Sequence, residues 1–149
     1  LDPHEQLYEF FYYGQTTPVA RGALIGTFRL QDKVLRISNV HLDWHGGFSH
    51  RFGQLQHLLG YLKGKLTVDG DVICGDFNTI GFFRNEMQMK KIRALLGEEF
   101  ISLIPDFRTT TVFYQQLDHV FARNVKIQHS DVLEVSGSDH YPLIATIEL

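Results

Sequence analysis

Four short polar clusters in this chain combine carboxylate, imidazole and amide side chains, and each adjoins a predicted strand. In the clearest cluster, Asp76 and Asn78 follow the apolar run Val72–Cys74, which predicts a short strand buried on both faces. Loops at strand ends carry much of the chemistry of layered α/β folds, because the strands hold them while their backbone stays irregular. Taken alone, Gly75, Asp76 and Asn78 predict only a turn. A functional hypothesis therefore depends on the other three clusters, which are residues 39–42, 117–121 and 138–143.

The predicted elements place these clusters at strand ends. β-branched and apolar residues predict strands over 23–30 and 34–42, joined as a hairpin at 31–33. Ser49 is predicted to cap a helix that ends at Gly64, and Asn85 to cap a second helix that ends at Gly97. A strand, helix, strand order results, in which the crossover helix covers a sheet. The other predicted extended segments are 7–14 (a strand or an irregular segment), 71–76, 112–114, 117–121, 125–128, 132–135 and 141–149.

Composition narrows the class of protein. The chain has 149 residues, 44% hydrophobic and 21% charged, which is the balance of a soluble globular domain. The net charge is −3, and the Lys and Arg residues are scattered along the sequence. This pattern does not predict the basic surface that tight, sequence-independent nucleic-acid binding requires. No segment has the roughly 20 apolar residues of a membrane span, and no signal-peptide pattern is visible, so the compartment stays open. Cys74 is the only cysteine, which excludes a disulfide framework.

Taken in order, the clusters read Asn-Val-His-Leu, Gly-Asp-Phe-Asn, Leu-Asp-His-Val-Phe and Ser-Asp-His-Tyr-Pro-Leu. This ordered set resembles the endonuclease/exonuclease/phosphatase superfamily, which includes deoxyribonucleases, abasic-site endonucleases, neutral sphingomyelinases and inositol polyphosphate 5-phosphatases. Each pattern is weak alone, whereas the set spans the chain from Arg21 to Leu149. The resemblance implies an α/β fold that is part of a four-layer sandwich, with two packed mixed sheets flanked by helices and the active site at one end.

The resemblance also implies roles for individual residues. Asp76 would orient and deprotonate an attacking water, and Asn78 would position that water or a phosphate oxygen. Asp118 would fix the tautomer of His140 and stabilise its cationic form, so that the imidazole can hydrogen-bond the phosphate. His41 would donate a hydrogen bond to a non-bridging phosphate oxygen. Each residue alone has a structural explanation, and the set together favours function.

A divalent cation is the cofactor that the resemblance implies. Asp139, with Asp76, resembles a ligand for Mg²⁺ or Mn²⁺, because carboxylate oxygens suit these ions. The main metal ligand of the family is a Glu in a strand well before the Asn-x-His-Leu cluster, and neither Glu5 nor Glu9 lies in a matching context. Residues 1–149 are therefore expected to form a single partial domain, without most of the first sheet. The chain is then a C-terminal fragment, has lost this segment in evolution, or receives the missing sheet from a second chain.

Several other polar residues receive structural interpretations. His119 alternates with Asp118 along a strand and should point to the opposite face. His41 and His45 have the four-residue spacing of zinc ligands on a helix, but they lie at a strand end and in a glycine-rich loop, so this spacing does not bring them together. Asn39 is expected to hold its loop through hydrogen bonds to the backbone.

The residues next to the clusters each allow two interpretations. Arg51 and Gln54 either border the site or form the polar face of their helix, and the second interpretation is favoured. Trp44, Phe82 and Phe83 are predicted to lie in loops, where they either contact a nucleobase, sugar or lipid or pack within the loop.

The predicted function is metal-dependent hydrolysis of a phosphodiester by a water that Asp76 orients. DNA is the leading substrate, and lipid or inositol phosphate headgroups come next. A rival hypothesis of another class is a binding or scaffold domain that kept the fold but lost metal binding together with the Glu.

Overall fold

The computed structural model describes residues 6–13, 21–106 and 108–149. Within these ranges, eight strands and two helices follow one another along the chain. They are β1 (Gln6–Tyr12), β2 (Gly22–Leu30), β3 (Lys33–His41), α1 (Gly47–Lys63), β4 (Gly70–Asp76), α2 (Phe82–Leu96), β5 (Ile101–Ser102), β6 (Asp118–Arg123), β7 (Lys126–Val132) and β8 (Leu143–Glu148).

A mixed six-stranded sheet in the order β1-β2-β3-β4-β6-β5 forms the centre of the fold. β2 and β3 form the predicted hairpin, and β3 and β4 pair in parallel, with α1 as their crossover. β6 then pairs antiparallel to β4 on its other side. β7 and β8 form a separate two-stranded antiparallel sheet. The α/β class predicted from the sequence is confirmed.

Apolar residues on both faces of the central sheet hold three layers together. The helices cover one face, where their buried leucines, methionine and isoleucine pack against strand residues. The two-stranded sheet lies on the other face, where Ile147 packs against Leu35 and Val72. Ile73 and Val72, adjacent in β4, belong to these two different clusters, as expected for a strand buried on both faces. The helix-side cluster includes Ile25, Val40, Leu55, Leu58, Leu62, Ile73, Met89, Ile92, Leu96 and Phe121.

The predicted N-terminal cap of the first helix is wrong. α1 begins at Gly47, two residues before Ser49, and Gly46 occupies the N-cap position without a side-chain hydrogen bond. Gly47 has a φ of 71°, so glycine lets the chain turn into the helix and no polar cap is required. Gly64 ends the helix as predicted, and its N–H donates to the carbonyl of Tyr61.

The second helix also begins earlier than predicted. Gly81, with a φ of 110°, is its N-cap, and the N–H of Asn85 donates to the Gly81 carbonyl within the first turn. Asn85 is therefore not the cap. Phe82 and Phe83 lie in this first turn and not in a loop. Gly97 ends the helix as predicted, with a φ of 86° that favours glycine.

Two extended segments also differ from the prediction. Residues 112–114 form a turn instead of a strand, because the N–H of Tyr114 donates to the Thr111 carbonyl and Tyr114 has a φ of 58°. Residues 125–128 and 132–135 were predicted as two short pieces, but Lys126–Val132 is one strand with an irregularity at Ile127 to His129.

A buried ion pair fixes the end of the central sheet where β4 begins. Arg36 donates from Nε to Asp71 Oδ1 at 3.0 Å, and both side chains are buried. Arg123 adds a second guanidinium at 3.1 Å from Asp71 Oδ2. Asp71 on β4 is thus the common partner of cations on β3 and β6.

We expect Asp71→Asn to lower the free energy of unfolding by roughly 3–5 kcal/mol, because it leaves the buried Arg36 without a negative partner. Urea unfolding followed by circular dichroism measures this loss. Asp32→Asn, in the exposed hairpin turn, is the matched control and should change stability by less than about 0.5 kcal/mol. Equal unfolding midpoints for the two variants would contradict the prediction.

Candidate active site

Strand pairing places three of the predicted site residues in one row. His41 at the end of β3 pairs with Asp76 at the end of β4, and Asp76 pairs with Asp118 at the start of β6. Residues directly opposite each other in paired strands project from the same face. The imidazole and the two carboxylates therefore lie side by side at one edge of the sheet.

His140 joins this row from the other end of the sequence. Its Nδ1 lies 2.8 Å from Asp118 Oδ2, and an isolated antiparallel bridge pairs it with Thr111. Thr110 supports the same pair, because its Oγ1 accepts a hydrogen bond from the N–H of Asp118. The structure thus brings together His41, Asp76, Asp118 and His140.

The turn after β4 orients Asp76. The N–H of Asn78 donates to Asp76 Oδ1 at 2.7 Å, and the Asn78 side-chain amide lies 3.2 Å from Asp76 Oδ2. Asn78 has a φ of 50°, a conformation that Asn tolerates better than most residues. Its amide also donates to the carbonyl of Leu42 at 2.8 Å. The turn that the sequence predicted is therefore what aims the carboxylate and ties it to the His41 loop.

Gly75 is required for the close approach of β4 to β3 just before Asp76. Its φ is 119°, and a Cβ at this position would lie 2.1 Å from the carbonyl oxygen of Val40 and 2.6 Å from Asn39 Oδ1. Only glycine fits here. Asn39 itself lies within β3 and is exposed, with its Oδ1 next to Gly75.

The pKa values of the two site histidines shift in opposite directions. Burial alone would lower the pKa of His140, but the hydrogen bond to Asp118 and the charges of Asp118, Asp76 and Asp139 outweigh it and raise that pKa. Burial likewise raises the pKa of Asp118, against hydrogen bonds from Thr110 and His140. His140 is therefore the site group suited to be cationic near neutral pH.

His41 is held in its neutral form. Partial burial is the main cause that lowers its pKa, with Arg21 adding to this effect and Asp76 opposing it. Arg21 Nη1 lies 3.0 Å from His41 Nδ1, and because a guanidinium only donates, Nδ1 is the acceptor. The ring proton then resides on Nε2, which lies 3.5 Å from Asp76 Oδ2. His41 is thus prepared to donate from Nε2.

Arg21 was missed from the sequence, although one signal could have revealed it. Register in the β2–β3 hairpin runs from Leu30 opposite Lys33 to Ala23 opposite Val40. If this pairing is extended by two residues, Arg21 lies opposite Leu42, next to His41.

Asp139 and Asp76 are the candidate metal ligands. Asp139 is exposed and its Oδ1 lies 3.4 Å from Ser138 Oγ, while its carbonyl accepts from the N–H of Val112. The charges of Asp139 and Asp76 both act on His140, so both lie near it. Over residues 6–13, 21–106 and 108–149, no three metal-ligating side chains come together. Two oxygen donors suit Mg²⁺, which usually takes one or two carboxylates and keeps several waters.

Arg51 and Gln54 do not form a solvated face of α1, which corrects that prediction. Both are buried. Gln54 Oε1 accepts from the N–H of Asp43 at 2.9 Å. Arg51 lies 3.4 Å from the carbonyl of Trp44, and its other terminal nitrogen lies 3.4 Å from Gln88 Oε1. These side chains anchor the loop that follows His41.

Asp43 organises the same loop and was not singled out from the sequence. Its Oδ1 lies 3.1 Å from the N–H of His45 and 3.2 Å from His45 Nδ1. Burial would raise the pKa of Asp43, but these hydrogen bonds and the nearby His45 and His50 lower it. His45 is thus engaged by Asp43, and no zinc site forms with His41 among the described residues.

His119 points away from the site, as its alternation with Asp118 predicts. It is buried against Phe77 and Phe121, and its Nε2 lies 2.9 Å from Thr79 Oγ1. Thr79 Oγ1 in turn donates to the carbonyl of Gln116. Burial lowers the pKa of His119 to about 4, so this ring stays neutral and structural.

Comparisons with known proteins place the chain among others of related sequence and fold. No protein-family profile matches it. It is 31% identical over 129 residues to a UPF0294 protein of Photorhabdus laumondii, covering 85% of this chain and 48% of that protein. A UPF0294 protein of Vibrio parahaemolyticus is 29% identical over 132 residues, covering 87% of this chain and 46% of the relative. The chain thus spans about half the length of the curated relatives it matches.

Solved structures show the fold. A humanized D. rerio TDP2 matches with a TM-score of 0.77 at 17% identity, over 96% of this chain and 66% of that one. The inositol polyphosphate 5-phosphatase domain of SpSynaptojanin, in complex with inositol (1,4)-bisphosphate and calcium ion, matches at 0.75 and 16% identity, over 97% and 54%. An endonuclease/exonuclease/phosphatase from Bacteroides vulgatus matches at 0.74 and 17% identity, over 99% and 67%.

We expect His119 to make the fold acid-sensitive. Its pKa near 4 lies below the ordinary value, so its contribution to stability is complete above about pH 6.5 and is lost as the pH falls towards 4, by up to roughly 3 kcal/mol. His119→Gln should flatten the pH dependence of urea unfolding over this range. His129→Gln, at an exposed position, is the control and should keep the wild-type slope. A wild-type slope in His119→Gln would contradict the assignment.

We expect Asp118→Asn to lower the pKa of His140, because the burial that opposes the charged ring remains while its hydrogen-bonded carboxylate is removed. Titration of the histidine Cε1–H signals by NMR in metal-free buffer measures this change. Asp32→Asn should leave the His140 midpoint in place. An unchanged midpoint in Asp118→Asn would show that Asp118 does not control this imidazole.

Proposed function

We propose that this chain, which has the fold of the endonuclease/exonuclease/phosphatase family, contributes a hydrolytic site for phosphate esters, with Asp76 as the base that activates water. The observation that carries this proposal is the row of His41, Asp76 and Asp118 across three paired strands, with His140 hydrogen-bonded to Asp118. Two carboxylates between two imidazoles whose pKa values shift in opposite directions suit attack on a phosphate better than a structural role.

Asp76 acts on the nucleophile. The N–H of Asn78 fixes one of its carboxylate oxygens, and the amide of Asn78 lies beside the other. A water bonded to Asp76 is deprotonated as its oxygen attacks phosphorus. The new bond joins the water oxygen to phosphorus, the ester P–O bond breaks, and the proton passes on to the departing alkoxide oxygen. A phosphodiester then gives a phosphomonoester and an alcohol.

The two histidines act on the charge that the phosphoryl oxygens carry. His140, with its raised pKa, supplies a cation, and Asp118 holds its ring in place. His41 donates from Nε2, because Arg21 occupies Nδ1. Fixed donors aimed at developing negative charge lower the barrier without having to reorganise during the reaction.

A divalent cation is part of the proposal. Asp139 and Asp76 are the residues of this chain that would hold Mg²⁺ or Mn²⁺, and their oxygen donors fit these ions. When bound, the cation would supply positive charge to the phosphoryl oxygens. Phosphodiesters are the proposed substrate class, with DNA as the leading candidate from the sequence and lipid or inositol phosphates as the alternative.

A non-catalytic binding domain is the second candidate. The observation that favours it is that no three metal-ligating side chains come together in the part of the chain that the structure describes. The two proposals differ in turnover, because a scaffold binds its partner without hydrolysis and without any dependence on a metal.

We expect the protein to hydrolyse bis(p-nitrophenyl) phosphate in the presence of Mg²⁺ or Mn²⁺ and to lose this activity with EDTA. Asp76→Asn and His140→Ala should each lower kcat roughly 10²- to 10⁴-fold, which is the range for removing a general base or acid. Asp32→Asn, in the exposed β2–β3 turn, should keep wild-type kcat. Absence of metal-dependent hydrolysis of any phosphoester tested, by protein that still binds a partner, would support the scaffold instead.

A further inference from the structure

Two buried polar side chains lie beneath the loops that follow β3 and β4. The first loop, residues 42–46, leads from β3 to α1, and the second loop, residues 77–81, leads from β4 to α2. Arg51 of α1 is 5% exposed and Gln88 of α2 is 7% exposed. A guanidinium is almost never buried this deeply unless it has partners there. The contacts of these two side chains therefore bear on how the loops are held.

Arg51 and Gln88 together connect the two loops. Arg51 Nη1 lies 3.4 Å from the carbonyl oxygen of Trp44 in the first loop, and its Nη2 lies 3.4 Å from Gln88 Oε1. The amide nitrogen of Gln88 donates to the carbonyl of Ile80 in the second loop at 3.1 Å. The opposite amide orientation would set N–H groups against the guanidinium and an oxygen against the Ile80 carbonyl, so both contacts require the same orientation. The guanidinium and the amide thus bridge Trp44 to Ile80.

A second connection joins the same loops on the site side. The Asn78 amide donates to the carbonyl of Leu42 at 2.8 Å and lies 3.2 Å from Asp76 Oδ2. The N–H of Ile80 donates to the Asn78 carbonyl at 2.8 Å. Gln88 therefore holds a residue that is bonded directly to the one that orients Asp76. A shift of the second loop would reach the Asp76 carboxylate through Asn78.

The contacts of Arg51 are poorly suited to a purely stabilising role. Both distances of 3.4 Å are long, and its buried Nε has no hydrogen-bond acceptor within the part of the chain that the structure describes. Burial lowers the pKa of Arg51, and the charges of Asp43 in the first loop and Asp76 before the second loop oppose this shift. A well-packed apolar side chain often stabilises such a buried position at least as well. What Arg51 adds is therefore the bridge between the loops.

We propose that Arg51 is a positioning residue for phosphate-ester hydrolysis. Through Gln88, it holds the second loop against the first loop. Asn78 then keeps the Asp76 carboxylate in its reactive orientation. The effect on turnover rests on the proposed function. The coupling of the two loops does not, because it exists without substrate or metal, and so the two can be tested separately.

The coupling can be measured at Trp44, which is the only tryptophan of the chain. Its indole N–H gives one cross-peak in a nitrogen–proton correlation spectrum, recorded without metal or substrate. Gln88→Leu removes the bond to Ile80 and an acceptor of Arg51, and we expect it to shift or broaden this cross-peak because the first loop is held less firmly. Gln56→Leu, the same substitution at an exposed position of α1, is the control and should leave the cross-peak in place.

Turnover of bis(p-nitrophenyl) phosphate tests the positioning role. Arg51→Lys keeps the buried charge, but a single ammonium cannot contact both partners as the guanidinium fork does. We expect kcat to fall at least about tenfold with little change in KM, because a displaced Asp76 slows the attack of water more than the binding of the ester. Gln88→Leu should give a similar loss, and the double variant should lose little more than either single variant, because both break one bridge. Gln56→Leu should keep wild-type kcat.

Three results would overturn the positioning role. The first is wild-type kcat in Arg51→Lys, which would leave the guanidinium only a counter-charge to Asp43 and Asp76. The second is wild-type kcat in Gln88→Leu, and the third is an unmoved indole cross-peak in that variant. Circular dichroism checks that the variants fold. If the wild type hydrolyses no phosphoester, the proposed function fails, while a shifted cross-peak in Gln88→Leu would still support the coupling of the loops.

Discussion

The hydrogen-bonded register between β3, β4 and β6 is the constraint on which the site depends. It sets His41, Asp76 and Asp118 opposite one another, although these residues are far apart in sequence. A slip of one residue in either pairing would turn a site side chain to the other face. Gly75 supports this register, because only a residue without Cβ lets β4 approach Val40 so closely. Buried apolar residues on both faces of β4 then make any alternative register costly.

Burial and neighbouring charges shift the pKa values of the two histidines at the ends of this row in opposite directions. The nearby carboxylates raise the pKa of His140, whereas partial burial, with the Arg21 guanidinium adding to it, lowers the pKa of His41. The cationic form of the imidazole is thus favoured at one end of the row and the neutral form at the other. Asp118, whose own pKa is raised by burial, is coupled to His140 by a hydrogen bond of 2.8 Å.

The sequence predicted those parts of the fold that depend on local pattern. The buried strand β4, the β2–β3 hairpin, the helix ends at Gly64 and Gly97 and the inward side of His119 follow from periodicity, glycine and alternation. Predictions failed at the helix starts and at one turn whose partners are tertiary. Ser49 and Asn85 were expected to cap helices, but glycines already turn the chain there. The turn 112–114 is set by its bonds to the His140 loop, which a β-rich local sequence does not reveal.

Arg51 shows why polar residues of a helix cannot be assigned to solvent from spacing alone. Burial lowers its pKa, so placing it beneath the site loops has a cost in desolvation. The charges of Asp43 and Asp76 oppose this shift, and the guanidinium lies 3.4 Å from the carbonyl of Trp44 and 3.4 Å from Gln88 Oε1. Gln88 in turn donates to the carbonyl of Ile80. One buried guanidinium therefore couples the loop after His41 to the loop after Asp76. A site built from separate strand ends needs such a connection, because strand register fixes where loops begin but not how they continue.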